Sequence, residues 1–163
     1  MRWIDERFRR HPVHYIAQCI IGFAVVAAIV SVFGAITHGA VVAALGASAF
    51  IVFAMPHHAT ATPRRLLGGH ALSMAIGLLC SVPLRLGLVP DSALGVGLLA
   101  AAAVALSMFA MVITNTEHPP AAGNALAFAM GSVGLQHGLF TVGAVLLLAL
   151  ARRLLRGWLR DLT

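Results

Sequence analysis

Charge is what this sequence has least of. Of 163 residues only 10% are Asp, Glu, Lys or Arg, against roughly 25% in an average soluble domain. Lysine is missing altogether: the 11 basic residues are all arginine. They crowd the two ends, as Arg2, Arg7, Arg9 and Arg10 and again as Arg152, Arg153, Arg156 and Arg160. The formal charge of +6 is therefore no nucleic-acid footprint, and no nucleic-acid partner is expected. Arginines flanking apolar runs read as cytoplasmic anchors under the positive-inside rule. Cysteine is scarce too. Cys19 and Cys80 both lie within apolar runs, where a thiol acts as a small buried residue and carries no message about redox compartment. No G-x-S-x-G, P-loop or other catalytic motif is present, so enzyme chemistry has no support. Cysteine–histidine clusters with ligand spacing are missing as well, so no cofactor is expected.

What is abundant is apolar sequence. Hydrophobic residues make up 60% of the chain, with mean hydropathy +0.94, which places it in the lipid bilayer as an integral membrane protein. Residues 1–14 form a basic lead-in whose Trp3 and Phe8, with Tyr15 just beyond, suit the membrane interface. The run 15–36 is too long for a signal-peptide core and reads as a retained first span. A turn at Thr37-His38-Gly39 leads to a short second segment, 40–55, about 24 Å long as a helix. A polar break follows at 56–65, with Thr62 as N-cap and Pro63 as first helical residue. Further segments are expected at 66–82 and 93–113, joined by a loop at 83–92. The last apolar run reaches Leu150 and overshoots a bilayer, so a break at Gly134-Leu135-Gln136-His137-Gly138 divides it into 121–133 and 139–151.

The division is thus a cytoplasmic lead-in (1–14), one transmembrane domain (15–151) and a basic cytoplasmic tail (152–163). Arginines at both ends and at Arg64 and Arg65 call for an even number of crossings. Six segments, some short, satisfy this; so do four spans and a re-entrant hairpin. The expected fold is an all-α polytopic helical bundle of four to six membrane segments, some short or broken.

One stretch organises the rest: Thr114-Asn115-Thr116-Glu117-His118-Pro119-Pro120-Ala121-Ala122-Gly123-Asn124. It is polar and proline-broken between two apolar runs, and such a break is expensive in lipid. Two prolines cannot sit inside a helix, yet Pro119 suits a first helical position, and the residues before it are pushed towards extended backbone. One helix is therefore expected to end near Thr114 and another to start at Pro119. The new helix start would offer free N–H groups and a positive dipole end, an anion site.

The two breaks look alike. Gly69-His70-Ala71-Leu72-Ser73-Met74-Ala75-Ile76-Gly77 aligns with Gly123-Asn124-Ala125-Leu126-Ala127-Phe128-Ala129-Met130-Gly131, identical at five of nine positions. Internal duplication and chance matching in Ala/Leu/Gly-rich sequence both account for this. Each copy also reads small-xxx-small-xxx-small, spacing that lets membrane helices approach closely. Two broken helices packed with their polar starts converging is the arrangement of a transporter site.

The run Glu117-His118-Pro119-Pro120-Ala121-Ala122-Gly123-Asn124-Ala125-Leu126 resembles the signature of the HPP family of integral membrane proteins. Leu45-Gly46-Ala47-Ser48-Ala49, Pro56-His57, Pro63-Arg64 and Gly68-Gly69-His70 resemble that family's first conserved block, in the same order. The resemblance extends over about residues 12 to 150. It implies four membrane spans, and nitrite as first candidate substrate, because plastid and cyanobacterial members are associated with nitrite transport. Members of the family often read Pro-Pro-Ala-Gly-Ala, whereas here Ala122-Gly123-Asn124 shifts the glycine and adds a polar amide, and the chain stops at Thr163 without the regulatory domain some members carry.

His118 has the strongest functional case: it could cap the helix, donate to an anion, or titrate near neutrality for proton-coupled release. Glu117 is either a proton relay or a favourable acid at a helix start. Thr114, Asn115 and Thr116 satisfy broken backbone at the least and an anion at most, beside Pro119 and Pro120. Asn124 can reach the same cavity. His57 and His58 occupy the first break, His70 lies inside the helix that follows, and Arg64 could attract anions to the mouth. The leading expectation is a bacterial inner-membrane transporter or channel for a small nitrite-like anion, N-terminus cytoplasmic, working as a homo-oligomer. The alternative is a non-transporting partner or sensor subunit whose breaks serve only packing. A metal or haem protein, needing His57, His58, His70 and His118 to converge, is the weakest reading.

Overall fold

Ala- and Leu-rich sequence in lipid has one economical way to satisfy its backbone, the α-helix. The computed structural model describes residues 6–33, 39–131 and 133–163, whose regular elements are all helices, with no strand among them. Helix α1 (Glu6–Arg10) leads into α2 (Pro12–Phe33), followed by α3 (Gly39–Ala54), a 3-10 turn (Ala59–Ala61), α4 (Pro63–Arg85), α5 (Ala93–Thr114), α6 (Ala121–Ala129) and α7 (Leu135–Leu155). Four of these, α2, α4, α5 and α7, are long and apolar enough to cross a membrane. The protein is an all-α, multi-pass membrane bundle.

The two remaining helices are short. Helix α3 has 16 residues, about 24 Å, and α6 only 9, about 13 Å. Neither matches a hydrocarbon thickness of about 30 Å. Helix α6 lies packed most extensively on α4, and also against α5 and α3.

Tertiary hydrogen bonds gather the ends of five helices at one face of the bundle. Gln18 on α2 donates to the Phe53 carbonyl at the end of α3 and, at 2.7 Å, to the Arg160 carbonyl of the tail. Leu162 N–H reaches the Ala54 carbonyl at 2.8 Å. Arg152 on α7 donates twice to the Pro56 carbonyl, at 3.0 and 2.6 Å. Arg64 at the start of α4 donates to the Thr114 carbonyl at the end of α5, at 3.1 Å. Arg152 is thus no terminal anchor as its neighbours suggest; it is buried and satisfies a carbonyl that the first break sets free.

Several boundaries depart from expectation. Helix α4 runs through Pro83 to Arg85 and not merely to residue 82. A proline this near the end removes one hydrogen bond, and its own carbonyl accepts from Leu88 N–H at 2.9 Å. The last break falls between the end of α6 at Ala129 and the start of α7 at Leu135, earlier than Gly134–Gly138. Gly131 takes a left-handed backbone (φ 74) and closes α6, while His137 Nδ1 accepts from Gly134 N–H at 3.1 Å and opens α7. Thr62 is the N-cap of α4, yet its hydroxyl donates back to the Ala59 carbonyl at 2.8 Å and caps nothing ahead of it. The expected roles of Trp3, Thr37 and His38 lie outside the described residues.

Glycine sets how close α4 comes to its neighbours. A Cβ on Gly77 would sit 2.7 Å from both the Ala125 carbonyl oxygen and Phe128 Cβ of α6. One on Gly69 would sit 2.8 Å from His118 Cβ and 2.9 Å from the Thr116 carbonyl oxygen. Gly77→Val should therefore lower the melting temperature in detergent, at a cost of about 1–3 kcal/mol. Gly97→Ala, whose Cβ would meet nothing within 4 Å, should leave it unchanged or raise it.

Candidate functional site

The central break is built by three residues. Asn115 adopts the left-handed conformation (φ 58, ψ 44) and ends α5, which asparagine tolerates better than residues with a branched or bulky side chain. Pro119 and Pro120 then form a tight turn that delivers the chain into α6 at Ala121. That turn also corrects an expectation. The first amides of α6 are not free: Ala121, Ala122 and Gly123 N–H donate to the carbonyls of His118, Pro119 and Pro120 at 2.9, 3.1 and 3.1 Å. The double proline tightens the first turn, and its own carbonyls consume the donors an anion would need.

Polar side chains gather in two layers. The outer layer is a rim at the bundle face. Arg65 donates to Asn115 Oδ1 at 2.8 Å and forms an ion pair with Glu117 at 3.3 Å. The hydroxyls of Thr114 and Thr116 lie 2.8 Å apart, and the Thr116 methyl sits against Gly68. His58 Nδ1 lies 2.7 Å from the Thr60 hydroxyl. Arg64, Asn115 and Thr114 are exposed.

The inner layer is a buried chain. Asn124 Nδ2 lies 2.7 Å from His70 Nδ1, and His70 Nε2 lies 2.9 Å from Ser48 Oγ. Ser48 Oγ in turn lies 2.9 Å from His118 Nε2, and His118 Nδ1 lies 2.8 Å from the Thr60 carbonyl oxygen. Ser48 Oγ also lies 2.9 Å from the Ala44 carbonyl oxygen. All four side chains are at most 1% exposed. They come from three helices and the break: Ser48 from α3, His70 from α4, Asn124 from α6 and His118 just before the prolines. One polar atom in this chain is orphaned, since Asn124 Oδ1 is buried without a partner.

The chemistry fixes the direction of the chain. A carbonyl oxygen only accepts, so His118 Nδ1 carries the proton towards Thr60. With His118 neutral, its Nε2 is an acceptor and the Ser48 hydroxyl donates to it. His70 then donates from Nε2 to Ser48 and accepts at Nδ1 from the Asn124 amide, which is assigned with nitrogen facing the ring.

Of the residues the sequence singles out, the structure brings His70, His118 and Asn124 together. It does not bring His57 there: His57 is exposed and its backbone N–H holds Asp161 of the tail at 3.0 Å. His58 stands one step away, through Thr60. Hence the four histidines do not converge, and among the described residues no three His, Cys, Asp or Glu side chains are placed to hold a metal. Sequence reasoning missed Ser48, the pivot of the chain, together with Gln18 and Arg152. The available signal was that Ser48 is the one polar side chain in α3 and Gln18 the one amide in α2, and isolated polar groups at membrane depth seldom lack a partner.

Ser48→Ala removes both imidazole partners while leaving two buried rings unsatisfied. It should cost about 1–3 kcal/mol, read as a lowered melting temperature. Ser107→Ala on α5, where the hydroxyl only bonds its own helix at Val104, should shift it far less.

Comparison with known proteins agrees with this architecture. The chain is 38% identical over 90 residues to a transmembrane protein of Dictyostelium discoideum, an alignment covering 55% of this chain and 30% of that one. The chain thus spans under a third of that relative. No solved structure matches. The family described as HPP, transmembrane region, matches residues 8–159, nearly the whole described bundle including both breaks and the buried chain. The protein is a member of the HPP family of integral membrane proteins.

Proposed function

We propose that the protein carries a small inorganic anion, nitrite-like in size and charge, across the membrane its four spans cross. The observation that carries this reading is the pair of polar layers. An arginine-bearing rim (Arg64, Arg65) stands over four buried polar side chains joined to one another by hydrogen bonds. Polar groups at such depth are costly, and in transporters they mark the ligand path. Membrane transport is consistent with the HPP assignment and with a multi-pass helical bundle.

On this reading Arg64, with Arg65, Asn115, Thr114 and Thr116, draws the anion to the mouth. His118, His70, Asn124 and Ser48 receive it further in, by hydrogen bonds in place of lost hydration. Glu117 holds Arg65 in place, Pro119 and Pro120 fix the entry to α6, and His58 steadies Thr60. The arrangement is a closed state. Helix α6 is the element that moves, because it is short and is bounded by two left-handed residues, Asn115 and Gly131. The arginine-rich face points to the cytoplasm under the positive-inside rule, in a bacterial inner membrane. Phe109, Val112 and Ile113, all exposed on α5, supply an apolar face for contact between copies of the chain.

A second reading has one observation in its favour. His118 is fully buried with both ring nitrogens engaged, as a purely structural element of a partner or sensor subunit would be. The orphaned Asn124 Oδ1 weighs against it.

Flux in proteoliposomes decides between them, using nitrite, nitrate, formate and chloride. Wild type should pass nitrite selectively. Asn124→Ala and His118→Ala should lose tenfold or more of it, and Arg64→Ala less, with folding checked by melting temperature. No flux of any anion from folded protein would establish the partner-subunit reading.

A further inference from the structure

We propose that the His118–Ser48–His70–Asn124 chain is a binding site for one proton, taken up together with the anion, so that transport is proton-coupled. The inference rests on the transport reading for its purpose, but its chemistry stands on the hydrogen bonds alone.

Ser48 is the reason. Its oxygen has one proton and two lone pairs, and it has three neighbours at 2.9 Å: the Ala44 carbonyl, His70 Nε2 and His118 Nε2. The neutral chain uses the hydroxyl proton towards His118, and the Ala44 carbonyl goes without it. Add a proton at His118 Nε2, and the Ser48 hydroxyl rotates to the Ala44 carbonyl. Both imidazoles then donate to the two lone pairs, His118 still donates from Nδ1 to Thr60, and every group from Thr60 to His70 is satisfied. The two protonation states thus differ by one hydroxyl rotation and no backbone movement. A further position exists deeper in. Had the added proton been taken at His70 Nδ1, on the side away from Ser48, the ring would donate from both nitrogens, and the Asn124 amide would turn to offer Oδ1. That is the buried acceptor now without a partner.

The site has room for one charge. The two ring centroids are 5.2 Å apart, so the rings titrate as a pair sharing a single proton. The other titratable groups are few and lie on the rim side. They are Glu117 paired with Arg65, Arg64 on α4, and His58 beside Thr60. Helices α3, α5 and α6, which pack around the chain, carry no titratable side chain, and α7, packed on α3 and α4, carries His137 in its first turn and, near its end, Arg152 on the Pro56 carbonyl and Arg153. The proton therefore enters from the rim, past Glu117 and Thr60.

Coupling follows from desolvation. A buried imidazolium and a buried anion are each costly alone, and together they offset one another. One proton then travels with each monovalent anion, in the same direction, and acid on the rim side accelerates uptake.

Two measurements test this. The first needs no transport: 15N NMR of histidine-labelled protein in nanodiscs across pH. At alkaline pH His118 should carry its proton on Nδ1 and His70 on Nε2, and acidification should add one proton to the pair in a single step. His70→Gln should shift the step at His118. Rings of the same tautomer, or two independent titrations unmoved by His70→Gln, would overturn the proposal. The second is proteoliposome flux of the same four anions with a trapped pH dye, after subtraction of the leak in protein-free vesicles. A proton-to-anion ratio near one, falling several-fold in Ser48→Ala, is expected. Anion flux with no proton movement would overturn the coupling and leave the transport reading intact. Absent anion flux would remove the transport reading and with it the coupling, while the NMR titration would still decide the proton site.

Discussion

A carbonyl released from a helix in lipid has no water to turn to, so some part of the chain must come to it. That constraint runs through this structure. The two proline breaks free carbonyls, and side chains reach four of them. Arg152 serves Pro56, Gln18 serves Phe53, Arg64 serves Thr114 and His118 serves Thr60. Three of these four side chains are buried, and they tie together elements far apart in sequence. The polar cluster is thus first a solution to a backbone problem. A function layered on it uses groups that the fold already had to bring inside.

Small residues make the solution geometrically available. Gly69 and Gly77 let α6 and the residues before it lie directly on α4, where Cβ atoms would collide with His118 and with the Ala125 carbonyl. Without that approach the His118 ring could not reach within hydrogen-bond distance of the same serine as His70. The likeness between the Gly69 and Gly123 stretches therefore has a packing meaning, whichever origin it has. The two copies also part company. Gly77 lies mid-helix in close contact, whereas its counterpart Gly131 takes φ 74 and ends α6.

The breaks were the legible part of the sequence, because prolines beside a run of polar residues interrupt a helix at membrane depth. His70, His118 and Asn124 stood out for the same reason. Ser48 did not, because a serine among alanines and glycines reads as one more small packing residue until its neighbours across the bundle are known. Arg152 was hidden by company: beside Arg153 and Arg156 it reads as an anchor, and only the Pro56 carbonyl distinguishes it. The free amides expected at the start of α6 were the clearest misjudgement. A proline pair does more than permit a helix start; its carbonyls fold back onto the amides that follow, and the donors for an anion must come from side chains instead.

The central claim is that the buried chain meets solvent and ligand during the protein's working cycle, and thiol accessibility reads this directly. With Cys19 and Cys80 changed to Ala, a small water-soluble thiol reagent would be applied to Asn124→Cys in nanodiscs. Asn115→Cys serves as the exposed rim control and Leu98→Cys as the lipid-facing one. The account predicts rapid reaction at Asn115→Cys, none at Leu98→Cys, and slow reaction at Asn124→Cys that nitrite suppresses. An Asn124→Cys thiol in folded protein that never reacts, with or without nitrite, would contradict it and leave the polar chain as internal packing.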